Sequence, residues 1–258
     1  MILERILAEK RKIIAAKKNA SLLEKLQENL AGSSRSLKKT LDKEDFGIIG
    51  EVKRGSPSAG IIDKNLNLEE KALSYFKAGV SGISVLTCEP FFYGSADDLK
   101  TVRKTVGLPL LMKDFIFDPY QIMEGRIYGA DAVLLILKIL SDDEFLKLAN
   151  TAEQFELEVL VEVHSEEELD RAMRLVKNWD DKILGINNRN LENLKTDLNV
   201  ALNLIKFVPQ GKMTVIGESG IRCRSDIDAL RKAGLKGALI GESILKSSDA
   251  ERKIKELL

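Results

Sequence analysis

The sequence predicts an α/β fold of the (β/α)8 barrel class, preceded by a helical extension. Three observations carry this. Apolar runs alternate with amphipathic stretches roughly eight times, the rhythm of a parallel sheet built from strand–helix units. No long insertion and no second composition regime interrupts the 258 residues, which favours one closed barrel over an open sheet. Polar residues also recur at the C-terminal ends of the apolar runs, although charge inside a buried parallel strand is costly. Glu51 and Lys53 close FGIIGEVK, Lys113 closes LPLLMK, and Glu162 closes LEVLVEV. Asn187 closes KILGIN, Glu218 closes KMTVIGE, and Gly241 closes LKGALIG. In a barrel, that end of the strands carries the active site.

Taken in order, residues 2–18 and 20–30 read as amphipathic helices. They make residues 1–45 an extension packed on the barrel, and residues 1–258 a single domain without a proline- or glycine-rich linker. Strands are expected at Gly47–Val52, Gly82–Leu86, Pro109–Lys113, Ala132–Ile136, Glu158–Val163, Ile183–Asn187, Thr214–Glu218 and Ala238–Gly241. Helical patterns lie between them: LEEKALSYFKAG, SADDLKTVRKTV, DPYQIMEGRIYG, SDDEFLKLANTAEQF, SEEELDRAMRLVKN and RSDIDALRKAG. Asp118–Pro119 supplies an N-cap with proline at the first helical position. Ser141 with three following acids marks another start, and Ser165 with Glu168 fits a capping box. Gly79, Gly129 and Gly234 stand where glycine ends a helix.

Composition excludes several classes. Forty basic and forty acidic residues cancel, leaving no footprint for nucleic acid. No apolar stretch approaches a membrane span, and acids at Glu4 and Glu9 argue against a signal or transit peptide. Cys88 and Cys223 have no metal or redox spacing, which reads as free thiols in a cytoplasmic protein. A single histidine, His164, rules out a multi-histidine metal site, so no metal ligands are assigned.

The strand ends suggest chemistry. Glu51 and Lys53, two apart, share one face of a strand; an ion pair on an edge strand is the plain alternative. The small polar loop after them, Gly55 to Gly60, could bend over a ligand. Lys113 can act as a general acid if burial and nearby cations draw its pKa toward neutrality, or it can serve as a salt-bridge partner. Glu162, in an apolar run, is expected to have a raised pKa suited to acid–base work, unless a lysine neutralises it. His164 reads as structural. Asn187–Asn188–Arg189 suits a carboxylate or hydroxyl, or merely caps a turn. GESGI (217–221) and IGES (240–243) follow the last two strands, where barrels bind phosphate with backbone N–H groups. A phosphorylated ligand follows from the pair of loops.

Together the segments resemble the indole-3-glycerol phosphate synthase family. The residues that carry the likeness are GEVKRGSPSAG (50–60), SVLT with FFYGS (84–95), KDFIFDPYQI (113–122), LVEVHSEEEL (160–169), GINNRNL (185–191), GESGI and IGES. The resemblance implies closure of the indole ring of 1-(2-carboxyphenylamino)-1-deoxyribulose 5-phosphate, with loss of carbon dioxide and water, in tryptophan biosynthesis. It implies no metal or organic cofactor. By that likeness Lys113 is the general acid and Glu162 serves dehydration. Lys53 holds the substrate carboxylate and supports acid catalysis, with Glu51 orienting the cluster. Asn187 and Arg189 contact substrate, and Glu218, Ser219, Ser56 and Phe92 line the pocket. Gly220, Gly241 and the backbone of Glu242 cradle phosphate, and Phe92, Phe115 and Leu134 form an apolar wall for the aromatic ring. Cys88, Met112 and Gly55 depart from residues common in the family. The implied partner is a phosphorylated small molecule, with transient contact to other tryptophan-pathway enzymes left open. Two alternatives stand beside this reading: a phosphosugar isomerase of the same barrel type, and a non-catalytic barrel that binds a phosphometabolite.

Overall fold

The computed structural model describes residues 2–19, 35–209, 211 and 213–258. Eight parallel strands close into a barrel. They are β1 (Gly47–Val52), β2 (Gly82–Leu86), β3 (Leu110–Lys113), β4 (Ala132–Ile136), β5 (Glu158–Val163), β6 (Lys182–Asn187), β7 (Thr214–Glu218) and β8 (Gly237–Ile240). β1 seals the barrel by pairing with β8, Gly47 opposite Gly237 through Gly50 opposite Ile240. Four expected boundaries shift by one residue, among them the end of β8, which falls at Ile240 and not Gly241. Pro109 falls outside β3, as a residue without an N–H should, and β6 and β8 each begin one residue early.

The helices are α1 (Ile2–Asn19), α2 (Leu37–Lys43), α3 (Leu68–Ala78), α4 (Ala96–Thr105), α5 (Pro119–Ile127), α6 (Asp142–Gln154), α7 (Glu166–Leu175), α8 (Asn199–Leu204), α9 (Arg224–Ala233), α10 (Glu242–Leu245) and α11 (Ala250–Leu257). Asp118 and Ser141 form reciprocal capping boxes. Ser165 forms only half of one. Its hydroxyl accepts from the Glu168 N–H, but the Glu168 carboxylate turns to the N–H of His164, 2.8 Å away. α2, α8, α10 and α11, and a small hairpin pairing Gly55–Ser56 with Gly60–Ile61, were not anticipated.

Strand alternation sorts the apolar residues into two cores. Ile48, Val85, Met112, Val133, Val161, Ile186 and Val215 face outward against the helices. Ile49, Leu111, Leu134, Leu160, Ile183, Ile216 and Leu239 fill the barrel interior. Met112, at a position where the family commonly differs, is therefore an outward packing residue beside α5, near Gly125.

The extension closes the barrel at both ends. α2 plugs the N-terminal end with Leu37 and Leu41, both fully buried in the inner core. A Cβ on Gly47 would meet Leu41 at 2.6 Å, and one on Gly82 would meet Leu37 at 2.5 Å. Glycine at these strand starts makes the socket. The hydroxyls of Ser36, Ser81 and Thr214 bond Glu158, Glu44 and Asp42 around the plug. α1 lies at the other end. Its Lys10 is buried against Asp114 (2.7 Å) and Glu89 (2.5 Å), and Lys17 reaches Glu89 and Glu124, each at 3.0 Å. The helix expected at 20–30 lies outside the described residues.

The plug yields a stability prediction. Leu41→Ala should lower unfolding free energy by about 2–5 kcal/mol, because neither strand ends nor helix can collapse into the void. Urea denaturation of the variant checks this; an unchanged midpoint would mean that α2 does not carry the bottom of the barrel.

Candidate active site

Inward positions of the odd strands stack in layers. Ile49, Leu111, Leu160 and Ile216 form an apolar layer. The next inward residue on each of those strands is charged: Glu51 on β1, Lys113 on β3, Glu162 on β5 and Glu218 on β7. Lys113 Nζ lies 3.2 Å from Glu162 Oε2 and 3.5 Å from Glu218 Oε2. One step higher on β1, Lys53 forms an ion pair with Glu51, so this is a pair inside the barrel mouth and not on an edge strand. The even strands give way to this layer with glycine. A Cβ on Gly185 would come within 2.2 Å of Glu218 Oε1, and one on Gly241 within 2.3 Å of Glu51 Oε1.

This layer floors a cavity of about 520 Å³. All the residues that the family resemblance places at the site line it: Glu51, Lys53, Ser56, Phe92, Lys113, Phe115, Leu134, Glu162, Asn187, Arg189, Glu218, Ser219, Gly220, Gly241 and Glu242, while Asn188 does not. Phe92 and Phe115 are tilted neighbours with centroids 6.0 Å apart. Arg189 spans the mouth: it donates to Leu194 O (3.0 Å) and Ser58 Oγ (3.4 Å) and sits 3.5 Å from Glu242 Oε2. Ser56 Oγ accepts from Ala59 N–H (3.2 Å), so the hydroxyl shapes its own turn. Gly55 carries no side chain for a stated reason, since a Cβ there would meet Gly60 O at 2.7 Å and the Tyr93 ring at 2.9 Å.

At the far end of the cavity, Ser219 and Gly220 adopt successive left-handed backbone angles, φ +63° and +78°. These angles mark a tight turn at the cavity wall, and a turn of this kind can form a concavity of backbone N–H groups suited to an anion. Asn188 holds this turn, donating to Ser219 O at 3.0 Å while its Oδ1 accepts from Ala201 N–H. Ser243 Oγ donates to Ile221 O at 3.0 Å and so ties the loop after β8 to the loop after β7. Arg222, Lys246 and Lys253 add cations to the cavity wall.

Electrostatics correct two expectations. Burial pulls the Lys113 pKa down, but attraction from Glu162, Glu218 and Glu51 outweighs it, and the ammonium is held well above its ordinary value. Carboxylates, not cations, surround it. Burial likewise pushes Glu162 up, yet Lys113, His164 and Asn187 overcome it and hold the carboxyl well below the usual range. The raised carboxyl is Glu218, pushed up to about 8 by burial and by repulsion from Glu162. The asymmetry has a structural cause. Both Glu218 oxygens lack a hydrogen-bond partner among the described residues, whereas Glu162 contacts Lys113 and His164. Of two acids competing for one ammonium, the less supported one keeps its proton.

Sequence reasoning missed the apolar side of the mouth. Ile2, Leu3 and Ile6 of α1 line the cavity, as do Leu194 and Thr196. No local signal marks them, because they reach the site only through the docking of α1 and the loop after β6. Asn188 was legible as part of an asparagine pair at a strand end, but not as the support of the turn after β7. Among the described residues, no group of three or more His, Cys, Asp or Glu side chains is arranged to hold a metal ion.

Known proteins resemble this chain along its length. The family model described as indole-3-glycerol phosphate synthase matches residues 3–257. A protein of that name from Azospirillum brasilense is 38% identical over 263 aligned residues, covering 100% of this chain and 98% of its own. One from Bacteroides thetaiotaomicron is 42% identical over 259, covering 100% and 97%. One from Prochlorococcus marinus (strain MIT 9301) is 46% identical over 216, covering 82% and 72%. Among solved structures, 3-hexulose-6-phosphate synthase from Salmonella typhimurium superposes with a TM-score of 0.64 at 14% identity, covering 82% of this chain and 96% of that one. That likeness is one of fold alone.

The proton on Glu218 makes a linkage prediction. Its pKa is higher folded than unfolded, so folding takes up a proton between about pH 4.5 and 8. Its contribution to stability is present below the lower value and is lost as pH rises through the upper one. Glu218→Gln should therefore gain stability relative to the parent chain as pH rises from 5 to 8. Urea midpoints of both proteins across that range test it; a constant difference would place the proton elsewhere.

Proposed function

The chain belongs to the indole-3-glycerol phosphate synthase family, and from this premise we propose that it closes the indole ring of 1-(2-carboxyphenylamino)-1-deoxyribulose 5-phosphate, releasing carbon dioxide and water, in tryptophan biosynthesis. The observation that carries the assignment of roles is the Lys113–Glu162 pair, 3.2 Å apart on the floor of the cavity. The substrate's phosphate enters the concavity at Ser219–Gly220, with the backbone of Gly241 and Glu242 opposite. Lys53, Asn187 and Arg189 take its carboxylate. The aromatic ring lies against Phe92, Phe115 and Leu134, under the apolar edge of α1, which keeps water out. Ser56, Glu218 and Ser219 complete the pocket, and Glu51 orients Lys53.

The aromatic carbon bearing the carboxylate bonds to the ribulose carbonyl carbon. Lys113, held protonated by its neighbours, donates its proton to the carbonyl oxygen, which becomes a hydroxyl. Carbon dioxide then leaves and its bonding pair restores the aromatic ring. In the last step Glu162, held ionised, takes a proton from the methylene carbon beside nitrogen and passes it to the departing hydroxyl, which leaves as water. The carboxylates beside Lys113, Glu162 foremost, oppose proton donation in the empty site. The anionic substrate, once seated, takes Lys53 and so redistributes the charge around the donor. Cys88 is buried and its thiol pushed up by burial, so it takes no nucleophilic part. Two unpaired cysteines agree with a cytoplasmic setting.

Indole absorbance and fluorescence on mixing protein with the substrate test the activity. Lys113→Ala should lower kcat by about 10²- to 10⁴-fold and leave substrate affinity nearly unchanged; near-normal turnover would remove it as the acid. Glu162→Gln should form the ring-closed hydroxylated intermediate and stall before dehydration. Full product with no intermediate in a single turnover would refute that role.

A further inference from the structure

His164 takes no part in the chemistry above, yet it is the chain's one histidine and its side chain is only 7% exposed. It follows β5 and precedes α7, just outside the cavity lining. Two carboxylates flank its ring. Nε2 lies 3.1 Å from Glu162 Oε1, a charge contact whose N–H is not aligned for a hydrogen bond. Nδ1 lies 3.0 Å from Glu168 Oε2. The same Glu168 oxygen accepts the backbone N–H of His164, and Ser165 Oγ accepts the N–H of Glu168. The start of α7 thus fixes Glu168, and Glu168 fixes the ring.

We propose that His164 is a positioning residue, a buried cation that keeps Glu162 ionised and turns its second oxygen toward Lys113. This rests on the role given to Glu162 above. A neutral imidazole keeps one bare nitrogen, and either choice would leave that nitrogen about 3 Å from a carboxylate oxygen with no proton between them. Protonation makes both contacts attractive. With Oε1 engaged by His164, Oε2 is the oxygen left for Lys113, 3.2 Å away. The charged groups facing this unit are Glu162 on β5 and Glu168 on α7, with Lys113 and Glu218 beyond Glu162 in the floor layer. Burial alone would lower the imidazole pKa, but attraction from Glu162 and from the hydrogen-bonded Glu168 raises it to about 9.

A sole histidine gives unambiguous ring signals, so NMR titration can follow it in the intact protein. The imidazole should stay protonated through neutral pH in the parent chain and titrate lower in Glu162→Gln. Titration near the ordinary value of about 6.5, or no response to Glu162→Gln, overturns the inference. The second arm is kinetic, with the carboxyphenylamino-deoxyribulose phosphate as substrate. His164→Gln should move the acid limb of kcat upward by about one pH unit or more, a tenfold change in the ionisation of Glu162, with KM within about threefold. Glu168→Gln leaves the ring in place and should shift the limb in the same direction by less, which decides the matter if His164→Gln fails to fold. A folded variant with the parent pH profile counts against a positioning role, whereas lost stability alone would mark a structural one. If Glu162→Gln itself makes product without delay, the role of Glu162 fails and not the His164 contact, which the NMR arm reads independently.

Discussion

One ammonium, that of Lys113, shares a single layer of the barrel interior with three carboxyl groups, and much of the structure answers to that constraint. Removing an ion from water costs several kcal/mol even after relaxation. The floor layer offsets this by mutual attraction, and Glu218 avoids the worst repulsion by keeping its proton. Space is the second requirement. Gly185 and Gly241 stand where any side chain would strike Glu218 or Glu51. The even strands thus give up side-chain volume so that the odd strands can carry charge. Directly beneath, Ile49, Leu111, Leu160 and Ile216 provide a dry base that holds the charged layer at the mouth.

The charged floor also explains the company it keeps. Asp114, next to Lys113, is bonded by Thr87 and by buried Lys10 of α1. The backbone that presents the lysine is thereby anchored to α1. Cys88 packs within this same cluster and touches Pro90 O. With Lys10 already serving Glu89 and Asp114, a neutral residue at position 88 avoids gathering a further negative charge around one cation.

The strands were legible because eight apolar runs stand out, and six of them end in a charged residue, an asparagine or a glycine. That signal is local, and it placed every strand within one residue at each boundary. Residues at the strand ends were legible for the same reason, which is why all of them meet in one cavity. What escaped depends on contacts distant in sequence. Leu37 and Leu41 look like one face of any short helix; only the glycines at three strand starts reveal a socket. Ile2, Leu3 and Ile6 look like the apolar stripe of an extension and become a cavity wall only once Lys10 and Lys17 anchor α1. The pKa directions were misjudged because an apolar run says that a group is buried but not which charges it meets. Lys113 meets carboxylates, and Glu162 meets His164.

The plug at the N-terminal end bears on how the chain is made. α2 precedes every barrel strand, yet its socket is assembled from Gly47, Gly82 and Gly237. A ribosome delivers the stopper long before the last part of the bottle. Until β8 has been translated, Leu41 has no complete seat and β1 has an unpaired edge. Contacts that join such distant segments make folding slow and leave sticky intermediates. The nascent protein therefore carries a greasy helix and an open strand side by side for most of its synthesis, and holding them apart from other chains is a task for chaperones before it is one for the barrel.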